Sequence, residues 1–462
     1  MISATALDTG ILHSLMNGSE GNLRISCPGS PCMSPQVKGR EQSKLDIVDG
    51  LTLKEIIPIR AFELMNGSEA EKTDFLVRTA KRLLRIPAIS PASGGGGEGD
   101  RAAEIIKILG DLGYNNAQRL DVRDDKGVTR PNIYLKIGDK ERTLWIVSHI
   151  DTVPVGDRKL WKYDPFDATV DGDRIYGRGS GDNGQGIFTS LLLLKYLRKE
   201  KMRYSLGLAF VSDEETGSRY GIRPLIEHNV FRKDDLILVP DSGDREGKMV
   251  EIAEKTVLWL RFIVEGKQGH GSRPDLSVNA FLEGSRLVVA LEKSLNETYN
   301  ARDDLFTPPF STFVPTRHEE NVPNVNTIPG TDVFYFDCRI MPRYDPDMVL
   351  DHISRVVRTF EAEHHVTVKV EIVQREDSSP IVFRDAEVIN LLSEALLRKR
   401  GIKTELIGIG GQTFANHLRK EGLPAAVWST ADESTYHQAN EFCQMSYILK
   451  DMDVLEYMLY GD

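Results

Sequence analysis

Four short apolar runs in this sequence lead at once into side chains that can ligate a metal or move a proton. TLWIVS runs into His149-Ile150-Asp151, LGLAFVS into Asp213-Glu214-Glu215 and LILVP into Asp241, while AAVWST is followed closely by Tyr436-His437. Each has a plain explanation when taken singly. A histidine beyond a strand is usually structural or exposed, paired acids often form a solvated turn, and an aspartate after a strand caps the next turn. Taken together they supply two histidines and three or four carboxylates, a donor set that suits a borderline divalent cation such as zinc.

A further acid lies in a loop with a competing reading. GRGSGDNGQG, residues 177–186, contains Gly179-Ser180-Gly181-Asp182-Asn183-Gly184, a literal G-x-G-x-x-G. Such a loop cradles a dinucleotide pyrophosphate when it joins a buried strand to a helix. A helix does follow, in GIFTSLLLLKYLRKEK with its basic end, but the preceding DGDRIYGRGS carries charges at Asp171, Asp173, Arg174 and Arg178 and makes a poor buried strand. Asp182 would also place a carboxylate where an anion should bind. A carboxylate that bridges through both oxygens instead suits a pair of metals about 3.5–4 Å apart.

The elements that must position these residues alternate in an α/β pattern from about residue 70. EKTDFLVRTAKRLLRI has Phe75, Leu76, Ala80, Leu83 and Leu84 at helical spacing. TLWIVSHID, YSLGLAFVSDEE, DLILVPDSG, TELIGIGG and AAVWSTADE are near-continuous apolar runs, as in strands buried on both faces of a largely parallel sheet. Ligands of such sheets bind beyond the carboxyl ends of the strands, which is where the acids and histidines fall. Between EIAEK and QREDS the character changes. TVLWLRFIVEG alternates, with Val257, Trp259, Arg261 and Ile263 on one face, and helices are expected over about 278–295 and 346–362. With STFVPT, DVFYFDCRI and VTVKVEIV as strands, the order βαββαβ describes a ferredoxin-like unit. The organisation expected is an N-terminal extension over 1–65, poorly ordered and rich in Gly, Ser and Pro, in which LMNGSE at 15–20 recurs at 64–69. A catalytic domain over 66–254 and 376–462 is then interrupted by the insert at 255–375.

Composition narrows the class. A net charge of −11 argues against a nucleic-acid or anionic-membrane partner. No apolar run approaches the ~20 residues of a membrane span, and MISATALDTG lacks the basic and apolar regions of a secretory signal. Cys27, Cys32, Cys338 and Cys443 are too scattered for a disulfide framework or a zinc finger, so a reducing, cytoplasmic location is expected.

The stretches SHIDTVPVGD, DPFDATVDGDRIYGRGSGDNGQG, SDEETGS, VPDSG, KQGHGSRPD, NVNTIPG, FDCRI and YHQANE, in this order, span about residues 70–462. There the chain resembles the co-catalytic zinc hydrolases that include aminoacylases, glutamate carboxypeptidases, succinyl-diaminopimelate desuccinylase and di- and tripeptidases. The resemblance implies a zinc-exopeptidase-like catalytic domain with a mostly parallel central sheet, and an inserted lid through which members dimerise. It implies two divalent metal ions, zinc first with cobalt or manganese as alternatives. Asp182 would bridge them, His149 and Asp241 would complete one site, and Glu215 and His437 the other. Asp151 would orient His149 and Glu214 would be the general base. His270 and Asn326 would polarise the substrate carbonyl, His270 often from the partner subunit. Arg339 would hold a substrate carboxylate, for which its planar fork is suited, and the backbone at Gly410 and Gly411 would hold a terminal one. The glycines of 177–186 then shape the loop around Asp182, and no nucleotide is involved. Asp241, where peptidases of this family tend to carry Asp and deacylases Glu, tilts the expectation to an exopeptidase on short peptides. The alternatives are an N-acyl-amino-acid deacylase and, in another class, a non-catalytic amino-acid-binding protein.

Overall fold

In a computed structural model of the chain, residues 67–462 are described. The expectation for residues 1–65, with Cys27 and Cys32, lies outside the described residues. Chain order begins with helices α1 (Glu69–Leu84) and α2 (Gly99–Asp111), then strands β1 (Gln118–Arg123), β2 (Thr129–Ile137) and β3 (Thr143–His149). Helix α3 (Gln185–Lys195) and strands β4 (Ser205–Val211), β5 (Leu236–Asp244) and β6 (Met249–Glu254) follow. After the insert come α6 (Glu387–Arg400), β11 (Glu405–Ile409), β12 (Ala425–Thr430) and α7 (Met445–Tyr460).

These strands form one eight-stranded sheet in the order β1-β2-β4-β3-β5-β12-β6-β11. Its centre, β4-β3-β5-β12, is parallel. The β1-β2 hairpin joins β4 antiparallel, and β12 meets β6 antiparallel. Every residue of β3 and β4 is buried, because Leu144 and Ile146 enter the core on one face while Trp145 and Val147 enter it on the other. Helix α3 is buried from Gln185 to Leu194, which explains an apolar sequence with no polar face. It stops at Lys195, and the basic residues beyond it lie outside the helix, in a separate turn over Lys199–Lys201.

The insert is the ferredoxin-like unit expected from its alternation. Strands β7 (Thr256–Glu265), β8 (Thr312–His318), β9 (Thr331–Ile340) and β10 (Thr367–Glu376) form an antiparallel sheet in the order β8-β9-β7-β10. Helices α4 (Ala280–Thr298) and α5 (Pro346–His364) cover one face, around Leu258, Leu260, Phe262, Phe334 and Phe336. The opposite face of β7 carries Val257, Trp259, Arg261 and Ile263, and Val257 and Trp259 look into a cavity shared with the larger sheet.

The sheet centre has a tight point. Trp145 on β3 pairs with Gly207 on β4, and its indole donates to Asp235 Oδ2 at 3.0 Å. A Cβ at position 207 would stand 2.3 Å from that ring. Gly207→Ala is therefore expected to destabilise the fold by about 1–3 kcal/mol through overpacking, read as a lower urea midpoint at unchanged slope.

Candidate metal centre

His149 is the last residue of β3, and its ring is completely buried. Nδ1–H donates to the Asp151 carbonyl at 3.1 Å, which leaves Nε2 facing the other donors. Nε2 lies 2.8 Å from Asp182 Oδ1 and 3.3 Å from Asp241 Oδ1. The second oxygen of Asp182 lies 3.0 Å from His437 Nε2, which is also 3.1 Å from Glu215 Oε2. Asp182 thus stands between two histidines, each backed by a further carboxylate.

The Asp182 turn precedes α3 and is held from the far end of the chain. Gly181 N–H and Asp182 N–H both donate to Glu441 Oε1 at 3.1 Å. Glu441 Oε2 is paired with Arg178, and both side chains are almost fully buried. Asn183 Nδ2 donates to Asp241 Oδ1 at 2.7 Å and to the Pro240 carbonyl at 2.6 Å, tying the turn to β5. Asp241 does not follow a strand that stops at Pro240, because β5 continues through it to Asp244. Gly181 has no room for a side chain, since a Cβ would stand 2.6 Å from the Tyr436 ring.

Asp213 takes a left-handed conformation, φ 66°, and starts the short turn that presents Glu214 and Glu215. The two oxygens of Asp151 accept the backbone N–H groups of Glu214 and Glu215 at 3.0 and 3.1 Å. Asp151 Oδ1 is also 3.4 Å from His149 Nδ1. The carboxylate expected to orient His149 therefore also fixes the acid pair. Glu214's own carboxylate faces the cavity and accepts no hydrogen bond among the described residues.

Burial, reinforced by Asp241, Glu215 and Asp151, holds Glu214 well above its ordinary pKa. Burial also pushes Glu215 up to about 7, against the hydrogen bond from His437. Burial would raise Asp182 too, but the bonds from His149 and His437 outweigh it and hold it below the usual range. Hydrogen bonds to Asp182 and Glu215 push His437 up to about 10. The cluster thus attracts positive charge strongly, and Glu215 Oε1 is buried without a partner among the described residues. One donor atom each from His149, Glu214 and Asp241 lies within 4.8 Å of the others, as does one each from His149, Asp182 and Glu215. Imidazole and carboxylate donors in this arrangement fit divalent cations.

A cavity of about 760 Å³ opens from the cluster towards the insert, lined there by Trp259, Arg339 and Glu376. Arg339 is held in place: Nε and Nη2 donate to the two oxygens of Asp337, and Nη1 donates to the Gly410 carbonyl at 2.8 Å. Gly410 and Gly411 lie in the loop after β11, whose next residues Gln412 and Thr413 line the cavity. His270 and Asn326 are brought together but do not line it. Gly269-His270 pairs with Thr327-Ile328, Gly271 N–H donates to the Asn326 carbonyl at 2.8 Å, and both side chains are exposed. Glu441, Arg178, Asn183 and Glu433 were not singled out in the sequence. For Arg178 and Glu441 the only signals were the RGS of the glycine loop and the final Glu of YHQANE.

A sheet that brings histidines and carboxylates together beyond its strands, under an inserted ferredoxin-like unit, is the site of a metallohydrolase acting on amide bonds. The profile of peptidase family M20/M25/M40 matches residues 145–461, and the chain belongs to that family. It is 38% identical to an uncharacterized metallohydrolase of Methanocaldococcus jannaschii over 82% of this chain and 97% of that protein. It is 27% identical to succinyl-diaminopimelate desuccinylase 2 of a Ruegeria species, over 79% of this chain and 89% of that one. A dinuclear metal-binding peptidase of the M20 family from Bacillus subtilis has a similar fold, with a TM-score of 0.55 at 16% identity, covering 84% of this chain and 99% of that one. No helix among the described residues is long and apolar enough to cross a membrane.

Two outcomes follow from these contacts. Glu441→Gln leaves the buried Arg178 charge without a full partner and is expected to cost about 3 kcal/mol and to weaken metal binding. Denaturant melts and metal titration of the variant check this. On the cavity wall, burial, with Arg223 and Lys420 nearby, pushes His417 down to about 3. An unfolded histidine takes its proton near pH 6.5 and the folded one does not until about 3. Stability should therefore fall as the pH drops through that window, by up to about 5 kcal/mol from this group. His417→Gln should flatten that part of a stability-against-pH curve.

Proposed function

We infer that the chain is an exopeptidase acting on dipeptides or other short peptides, with two divalent metal ions per subunit. The observation that carries this is Asp182, whose two oxygens face His149 and His437 separately while Glu214 stays uncommitted beside them. His149, Asp182 and Asp241 would hold one ion, and Asp182, Glu215 and His437 the other. Zinc suits these donors first, with cobalt or manganese as alternatives. Bound there, such ions supply Lewis acidity, lowering the pKa of a water and polarising an amide carbonyl. Glu214 would take the proton of the attacking water as the new C–O bond forms and return it to the leaving nitrogen, after which the amide C–N bond breaks. Asp151, through the backbone of Glu214 and Glu215, keeps that base in place.

Asp241 supports a peptidase over a deacylase by its likeness to the peptidases of the family, and the cavity suits a short substrate. The second reading is an N-acyl-amino-acid deacylase, favoured by the likeness to a desuccinylase over most of both chains. Arg339 would turn from Asp337 to a substrate carboxylate, near the backbone of Gly410 and Gly411. His270 and Asn326 would reach a substrate from a neighbouring subunit or after movement of the insert. A homodimer through the insert is supported by exposed Phe281, Leu282, Val289 and Val314 on α4 and the edge strand β8.

The test is hydrolysis of a panel of dipeptides, N-acetyl and N-succinyl amino acids by metal-reconstituted protein. Cleavage of free dipeptides is expected, with loss of at least about 10³-fold in kcat in Glu214→Ala at unchanged metal content. A chelator should abolish activity, and added zinc should restore it. Turnover of N-acyl substrates alone would select the deacylase.

A further inference from the structure

The charges of the cavity wall leave one carboxylate over. Two divalent ions would balance Asp182, Glu214, Glu215 and Asp241. Glu376, on the insert side, faces Arg223 at 3.4 Å and Lys420 at 3.7 Å, and Arg339 is matched by Asp337. Glu433 lines the same cavity and forms no ion pair with Lys, Arg or His among the described residues. Arg245, which reaches the residue before Glu433, is engaged there, pairing with Asp432 at 3.0 Å.

Glu433 is also held in one orientation. Its Oε1 accepts from Ser242 Oγ at 2.7 Å and from Gly243 N–H at 2.6 Å. These two residues directly follow Asp241 on β5, so the carboxylate is anchored to the strand that carries a candidate ligand. Oε2 takes no hydrogen bond among the described residues, and the side chain is open to the cavity. A fixed carboxylate with one free oxygen and no counter-ion, in a wall already rich in acids, selects a cationic group on what enters. In a short peptide attacked at its first bond, that group is the amino-terminal ammonium, a single carbon away from the scissile carbonyl.

We propose that Glu433 is a specificity-determining residue that receives the free α-ammonium of the substrate, so that peptides with an unmodified amino terminus bind in preference to N-acylated ones. The inference rests on the exopeptidase reading and adds the side chain that enforces it. An acetyl cap would leave the carboxylate facing a neutral group, and a succinyl cap would set a second negative charge against it. A site built to bond a charged donor rejects analogues that lack it.

The test compares inhibition constants of alanine hydroxamate, N-acetylalanine hydroxamate and Nα-acetyllysine hydroxamate on the metal-loaded full chain, for the wild type and Glu433→Gln. The wild type is expected to bind the free-amino compound at least tenfold more tightly than its N-acetyl form, and Glu433→Gln to lose that preference. The free-amino peptide's KM should rise by a similar factor. Should Glu433→Gln fail to fold, Glu433→Asp, which draws the charge back by one methylene, is read in the same way and should lower the ratio. An unchanged ratio, or equal weakening of the first two compounds, overturns the assignment. Loss confined to the lysine compound moves the role to a side-chain ammonium and overturns it as stated. Failure of the underlying reading looks different: a wild type that turns over N-acyl amino acids and no free dipeptide refutes the exopeptidase whatever the variant does.

Discussion

The site depends on keeping one aspartate ionised and immobile inside the protein. Asp182 is only slightly exposed and lies against two histidines, and its turn has no regular secondary structure to hold it. Glu441 supplies what is missing, by taking two backbone N–H groups of that turn on one oxygen and the buried Arg178 on the other. A buried carboxylate is costly unless it is paired and hydrogen-bonded, and Glu441 meets both conditions. The contact spans the sequence, since the short strand Phe442–Gln444 beside Glu441 pairs with Arg174–Tyr176 just before the glycine loop. The carboxyl-terminal part of the chain therefore completes a site opened near its middle.

The rest of the fold sets distances around that turn. Parallel pairing of β3 with β4 and β5 brings His149, the Glu214–Glu215 turn and Asp241 to one edge. Burial of the sheet on both faces keeps these strands from sliding, because a slip by one residue would exchange Leu144 and Ile146 for Trp145 and Val147. The insert adds a wall. Its β7 and β10 leave the larger sheet at Lys255 and Glu376, and Gln412 Nε2 donates to the carbonyls of both. One side chain thus spans the two crossings that position Trp259 and Arg339.

Much of this was legible in the sequence, for a reason that also marks where legibility stopped. The apolar runs and the residues that end them follow local periodicity, so His149, Glu214, Glu215 and the order βαββαβ could be read directly. Asp241 could be found too, although its strand runs past it. Neither Glu441 nor Arg178 could be assigned from spacing, since they meet only through tertiary pairing across 263 positions. Arg339 reads as a free guanidinium in FDCRI, yet Asp337, two residues back on the same face of β9, takes both ends of its fork. His270 and Asn326 do meet each other, on a two-stranded ribbon outside the cavity. Sequence order carries no information on how far an inserted unit stands from the site it covers.

The electrostatics of the cluster join folding to metal binding. Without a cation, the carboxylates are compensated by protons: His437 is pushed up to about 10 and His149 well above its ordinary value, the latter by Asp241, Asp151 and Asp182 against the effect of burial. A metal must displace those protons, because only neutral imidazole ligates. These two histidines therefore hold their protons more tightly than a free imidazole does, and a cation taking their place would release them. Binding should tighten as the pH rises, since each ion then competes with fewer protons. Cations that bind the folded chain and not the unfolded one add to stability by mass action. The same buried acids that would make the site reactive thus make the fold answer to metal supply.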